Sequence, residues 1–155
     1  MDGTRVEGNR VDGAAPEKSV SHTFRVRYAE TDAMGIVHHA SYVVWLEMGR
    51  TEFMRAFGFT YRQLEEMGVV MPVLEINVRY RRPAVYDDEL CITTWVDELS
   101  RTRIKLAYSI VRTSDGKLLT EGSSLHTFTG RDGRPIRITH HPEAWEMMQR
   151  MAPPI

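Results

Sequence analysis

The sequence predicts an α+β domain in which one long apolar helix is wrapped by a curved antiparallel sheet of about five strands. Three observations predict it. From about Ala40 to Phe57 the pattern is helical and apolar on nearly every side. Elsewhere the chain alternates apolar and polar residues with the two-residue period of a half-buried strand. Nothing but that sheet is large enough to bury the helix.

The elements follow in order. His22 to Tyr28 puts Phe24, Val26 and Tyr28 on one side and Thr23, Arg25 and Arg27 on the other, which predicts a first strand. A loop with Gly35 in its middle leads to the long helix, where Tyr42, Trp45, Leu46, Gly49, Phe53 and Phe57 recur at three- and four-residue steps. Val43, Val44 and Met48 make its first turns apolar on other sides too, so the whole helix is expected to be buried. Gly58 suits the position that ends it. Thr60 to Gln63 has the form of a capping box, and Gly68 stops the short helix that follows.

The rest reads as strand. Leu74, Ile76, Val78 and Tyr80 alternate with Glu75, Asn77 and Arg79. Leu90 to Val96 and Ile104 to Ile110 do the same. Asp115-Gly116 marks a turn into a last strand, Leu118 to Thr129. Four strands in hairpin succession are expected, hence an antiparallel sheet. Pro142 opens a C-terminal helix to about Met151. One helix wrapped by such a sheet is the hotdog architecture. A free edge strand is expected to pair across a two-fold axis, giving a homodimer or a dimer of dimers.

Composition narrows the function. The 155 residues fit one domain, with residues 1–20 expected as a disordered leader and 21–155 as the folded unit. A net charge of −1 gives no field for nucleic acid or anionic membrane. One cysteine, Cys91, allows no intrachain disulfide and no thiolate zinc site, and fits a reducing, cytoplasmic location. No run reaches the length of a membrane span.

The chemistry sits in Tyr28-x-Glu30-Thr31-Asp32-x-Met34-Gly35-Ile36-Val37-His38-His39-Ala40-Ser41-Tyr42. This segment resembles the signature of the 4-hydroxybenzoyl-CoA thioesterase family, and most resembles the bacterial acyl-CoA thioesterases associated with the Tol-Pal system. The resemblance extends through Glu47, Arg50, Thr51 and Glu52, and more loosely through Tyr80-Arg81-Arg82-Pro83-Ala84 and Ser100-Arg101-Thr102. It implies hydrolysis of an acyl-CoA, with Asp32 as the catalytic carboxylate and the backbone N–H of His39 pointing at the thioester carbonyl. Coenzyme A would enter as part of the substrate, with no metal or other cofactor. The physics fits. A thioester carbonyl gains negative charge when attacked, and free N–H groups at a helix N-terminus stabilise it. Asp32 could act as nucleophile or as general base on water. The other reading of Asp32 is an Asx-turn aspartate.

Gly35, Val37, His38 and Tyr42 are expected to shape the acyl site around these two residues. Glu30 is expected to be solvated, a weaker candidate than Asp32. Glu47 has Arg50 and Thr51 at i+3 and i+4, which suggests a structural ion pair with Arg50. Arg101 and Arg103, flanking a turn between strands, are the candidates for the nucleotide phosphates of CoA, ahead of Arg79, Arg81, Arg82 and Lys105. Two alternatives stand beside hydrolysis. A hydroxyacyl-thioester dehydratase would use His38 or His39 with Glu47, but the His-x-Phe-Pro run of that branch is missing. A non-catalytic acyl-thioester-binding protein could keep the fold, though it would have no need of Asp32.

Overall fold

The structure, a computed structural model, describes residues 15–153. Most of the expected leader, residues 1–14, lies outside the described residues. The chain is tied to the fold from Lys18, whose Nζ donates to Ala152 O at 2.9 Å.

The elements are β1 (Val20–Arg25), α1 (Ser41–Ala56), α2 (Tyr61–Glu66), β2 (Val73–Tyr80), β3 (Glu89–Leu99), β4 (Arg103–Arg112), β5 (Leu118–Thr127) and α3 (Pro142–Met151). All five strands join one antiparallel sheet, in the order β1-β3-β4-β5-β2. One long helix lies on that sheet, which is the expected hotdog arrangement. Pairing in plain hairpin succession is corrected at one place. β3–β4 and β4–β5 are hairpins, but β2 pairs with β5. β1 already occupies the outer side of β3, in register from Val20↔Thr94 to Arg25↔Glu89, so β2 is left the far edge.

The turns obey their residues. Gly116 has φ +69°, and Asp115 Oδ1 accepts from Lys117 N at 3.1 Å, closing the β4–β5 hairpin. Thr60 and Gln63 form the reciprocal capping box, with Thr60 N donating to Gln63 Oε1 at 2.8 Å.

α1 buries Tyr42, Trp45, Leu46, Gly49, Arg50, Phe53 and Met54. A Cβ on Gly49 would lie 2.8 Å from both Ile92 Cδ1 and Thr94 Oγ1, so glycine lets the helix sit directly on β3. The expectation of a helix buried all round is corrected. Val43 and Val44 are 39% and 57% exposed, and Glu47 is exposed beside them. The sheet covers one face of the helix, and Val43, Val44 and Glu47 lie on the other. β2 is itself an open edge that shows Val73, Leu74 and Tyr80 to solvent.

Candidate active site

The loop from Glu30 to Ser41 is built before its chemistry can be. A single 3-10 turn, Tyr28–Glu30, breaks the alternation at Tyr28, which is 77% exposed, while Glu30 lies on the inward side with Val26. Glu30 is therefore buried, at 7% exposure, and the expectation of a solvated side chain is overturned. Its carboxylate accepts from Trp45 Nε1 at 2.6 Å and from Arg27 N at 2.8 Å. Its carbonyl accepts from His38 N at 2.8 Å and from the Ser41 hydroxyl at 3.3 Å. Burial alone would raise the carboxyl pKa. Hydrogen bonds from the Arg27 amide and the Trp45 indole, with the Arg27 charge, outweigh burial and hold it below the usual carboxylate range.

Between these anchors the chain folds back at Asp32–Gly35. Gly35 N donates to Asp32 O at 3.0 Å, Asp32 N donates to Ile36 O at 2.9 Å, and Gly35 has φ +79°. Only glycine takes that backbone without strain. Val37 N donates to Ala84 O at 2.9 Å, which fastens the return limb to the β2–β3 connection. Tyr80 hydroxyl donates to His39 O at 2.8 Å. The Tyr42 ring stands edge-on to both Tyr80 and Trp45, at 5.0 and 4.7 Å between centroids.

These ties open a cleft of about 330 Å³ lined by Asp32, Val37, His39, Tyr42, Tyr80 and Arg82, among others. Asp32 is half-buried there. Its Oδ1 accepts from Met34 N at 2.8 Å, so the Asx-turn reading holds for one oxygen. Oδ2 accepts no hydrogen bond among the described residues. At the start of α1, Ala40 N donates to His38 Nδ1 at 3.1 Å and Ser41 N to His38 O at 3.0 Å. The His39 N–H donates to nothing among the described residues. The two residues that carry this free carboxylate oxygen and this free amide donor thus line the same cleft.

The other expected site residues divide. Val37 and Tyr42 line the cleft, and Gly35 shapes its loop. His38 does not line it; its ring stacks on His39 at 4.2 Å and caps the helix start. Arg101 and Arg103 are not brought to the cleft within one chain. Arg103 pairs with Thr127, next to the Val73↔His126 end of β2, whereas the cleft is at the Tyr80↔Thr120 end. Seven residues of strand separate Thr120 from Thr127, roughly 23 Å. Arg82, ranked behind Arg101 and Arg103 in the sequence, is the one that lies on the cleft rim, with Arg81 beside it. Glu47 forms no ion pair with Arg50, and it borders a different cavity from His39. The His–Glu dyad of the dehydratase alternative is therefore not assembled within the chain. Among the described residues, no three His, Cys, Asp or Glu side chains converge as a metal site. No helix among them is long and apolar enough to cross a membrane.

Residues 26–153 match the family model described as the thioesterase-like superfamily. The chain belongs to the thioesterase-like superfamily. Escherichia coli acyl-CoA thioester hydrolase YbgC is 38% identical over 101 residues, 65% of this chain and 75% of that protein. Among solved structures, a DHNA-CoA thioesterase from Staphylococcus aureus superposes with a TM-score of 0.78 at 32% identity, covering 85% of this chain and 91% of its own. A mutant 4-hydroxybenzoyl CoA thioesterase complexed with 4-hydroxybenzoyl CoA gives a TM-score of 0.74 at 26% identity, covering 84% and 98%.

Glu30→Gln tests the anchoring of this loop. Removing a buried carboxylate bonded to two N–H groups is expected to cost about 2 kcal/mol at pH 7. The folded-state pKa lies below the unfolded value of 4.5, so that stability is present above 4.5 and lost as pH falls through the folded pKa. Urea midpoints from pH 7 to pH 3 should show the gap between wild type and variant closing at the acid end. A gap that stays constant would mean the charge of Glu30 is irrelevant.

Proposed function

We propose that this protein hydrolyses acyl-CoA thioesters to free acid and thiol. Asp32 acts as nucleophile or general base, and the His39 N–H is the oxyanion donor. The observation that carries the reading is the meeting, in one cleft, of the free Oδ2 of Asp32 and the unpaired His39 amide. A C(=O)–S group between them would have its oxygen toward the positive end of α1 and its carbon open to the carboxylate. In the nucleophilic route Asp32 oxygen bonds to the carbonyl carbon, the C–S bond breaks, and water hydrolyses the resulting anhydride. In the general-base route Asp32 takes a proton from the water that attacks. Both routes put negative charge on the oxygen that His39 faces. The relatives named as acyl-CoA thioester hydrolase and CoA thioesterases support the substrate class. The narrower likeness, to Tol-Pal-associated enzymes, rests on the Asp32-to-Tyr42 motif. The reading needs no metal, takes coenzyme A as part of the substrate, and suits a cytoplasmic protein.

The reading includes a homodimer, with pairing of dimers as a further level. β2 is an unpaired edge carrying Val73 and Leu74 at 45% and 50% exposure, and Val43 and Val44 of α1 are open too. Such an edge is satisfied by an antiparallel contact with its own copy. That two-fold contact sets the Tyr80 end of one β2 against the Val73 end of the other. It would carry Arg101 and Arg103 of the second copy toward the first copy's cleft, where CoA phosphates need cations.

A thiol-release assay over an acyl-CoA panel tests the chemistry. Wild type should hydrolyse, and Asp32→Asn should fold and lose at least about a hundredfold. His39→Ala should keep most of its rate, since its backbone N–H remains. A folded Asp32→Asn with undiminished activity would remove Asp32 from the mechanism. For the assembly, Leu74→Lys puts a charge on the open edge. Sedimentation should then show a dissociated protein with reduced activity, and an unchanged oligomer would place the interface elsewhere.

A further inference from the structure

A second cavity, also about 330 Å³, lies farther along α1, bordered by Glu47, Arg50, Tyr61, Leu64, Val69 and Met71, among others. Its unusual member is Arg50. Only 8% of this residue is exposed, yet no carboxylate lies within 4 Å of its guanidinium among the described residues. Its Nε donates to the Tyr61 hydroxyl at 2.7 Å and its Nη1 to the Tyr108 hydroxyl at 3.2 Å. A buried guanidinium is ordinarily matched by an anion. Here its partners are neutral phenols.

The hydrogen bonds behind Arg50 run in one direction. Met71 O can only accept, so His126 Nδ1, 3.3 Å away, carries the proton. Burial and the Arg50 charge push the His126 pKa down to about 4, so the ring is neutral and Nε2 accepts. Ser124 Oγ, at 2.7 Å, must then donate to it. Having spent its proton, Ser124 accepts from the Tyr108 hydroxyl at 2.6 Å. Tyr108 in turn can only accept from Arg50. Each step is forced, and none of these groups can return negative charge to the guanidinium.

What remains unspent is all donor. Tyr61 accepts from Arg50 Nε, and its own O–H has no partner among the described residues. Burial raises its pKa to about 12, so the proton stays. Arg50 Nη2 likewise has no partner there. Beside these donors stand the buried apolar side chains of Leu64, Val69 and Met71. Glu47 and Glu65 border the same cavity, but both are exposed, so water screens them.

We propose that this cavity is a binding site for a carboxylate carried on a short apolar body, held by Arg50 Nη2 and the Tyr61 hydroxyl. It is separate from the Asp32 cleft. From Tyr42 to Arg50 is eight residues of helix, a rise of about 12 Å. The carboxylate could come from a free organic acid or from the distal end of a dicarboxylic acyl group.

Thermal-shift and calorimetric titrations at constant ionic strength test this with three probes: hexanoate, hexanamide, and a short-thiol thioester of adipate. Hexanoate or the adipate thioester should bind saturably and raise Tm, and whichever binds identifies the source of the carboxylate. Hexanamide should do neither. Arg50→Met should weaken binding by about tenfold or more, the usual effect of losing a charged hydrogen-bond donor. Tyr61→Phe keeps the cation and guards against a folding defect in the first variant; it should weaken binding severalfold. The adipate thioester is titrated into Asp32→Asn, which does not turn it over, and that variant should bind hexanoate as wild type does. Equal binding of hexanamide, or binding unchanged in Arg50→Met and Tyr61→Phe, overturns the site.

Discussion

The hydrogen bond from Trp45 Nε1 to the buried Glu30 carboxylate, 2.6 Å long, is the contact on which the rest depends. Trp45 belongs to the core face of α1, and Glu30 to the loop that carries Asp32. The bond joins loop to helix in a dry place, where a charged acceptor without partners would be costly. The Glu30 carbonyl then takes the His38 amide and the Ser41 hydroxyl. With both limbs of the loop fixed, the turn at Gly35 leaves Asp32 on the cleft that His39 also lines. The unpaired His39 N–H follows from the same arrangement. Ala40 and Ser41 spend their amides on His38, and the helix has no side-chain cap at Ala40 that could turn back to residue 39.

Packing explains why one side of this helix is finished and the other is not. Gly49 lets α1 settle on Ile92 and Thr94, and Phe53, Leu46 and Trp45 fill the space over the sheet. Val43, Val44 and Glu47, on the face of α1 away from the sheet, are exposed. An exposed apolar helix flank and an apolar, unpaired strand edge are features that ordinary monomers avoid. The same edge separates the cleft from Arg101 and Arg103, and this makes the question of assembly a question about the site.

Much of this was legible in the sequence, and the failures have physical causes. Strand and helix periods placed most elements to within a residue or two, because burial is written directly into them: α3 begins at Pro142 as its ring geometry requires. The period of a strand says which face is buried, but not which strand lies beside it, so the pairing of β2 with β5 was invisible. Glu30 was misread because a carboxylate was taken to belong in solvent, although residue 30 shares the inward parity of Phe24 and Val26. The signal was present in the Arg27–Glu30 spacing, which is that of a capping glutamate, and Arg27 N does donate to Glu30 Oε1. Arg50 was assigned to Glu47 because helical spacing reports neighbours on the same helix only. Its real partners, Tyr61 and Tyr108, come from α2 and β4. The turn at Gly35 and the start of α1 near Ala40 were placed correctly, since tight turns and helix starts are set by residues close in sequence.

The central claim is that a thioester carbonyl lies between Asp32 and the start of α1. A crystal structure of the protein with a non-hydrolysable acyl-CoA analogue, its sulfur replaced by methylene, tests this most directly. The account predicts the carbonyl oxygen about 3 Å from His39 N, with the Asp32 carboxylate against the carbonyl carbon. A carbonyl bound away from both residues, in every copy of the protein, would contradict it.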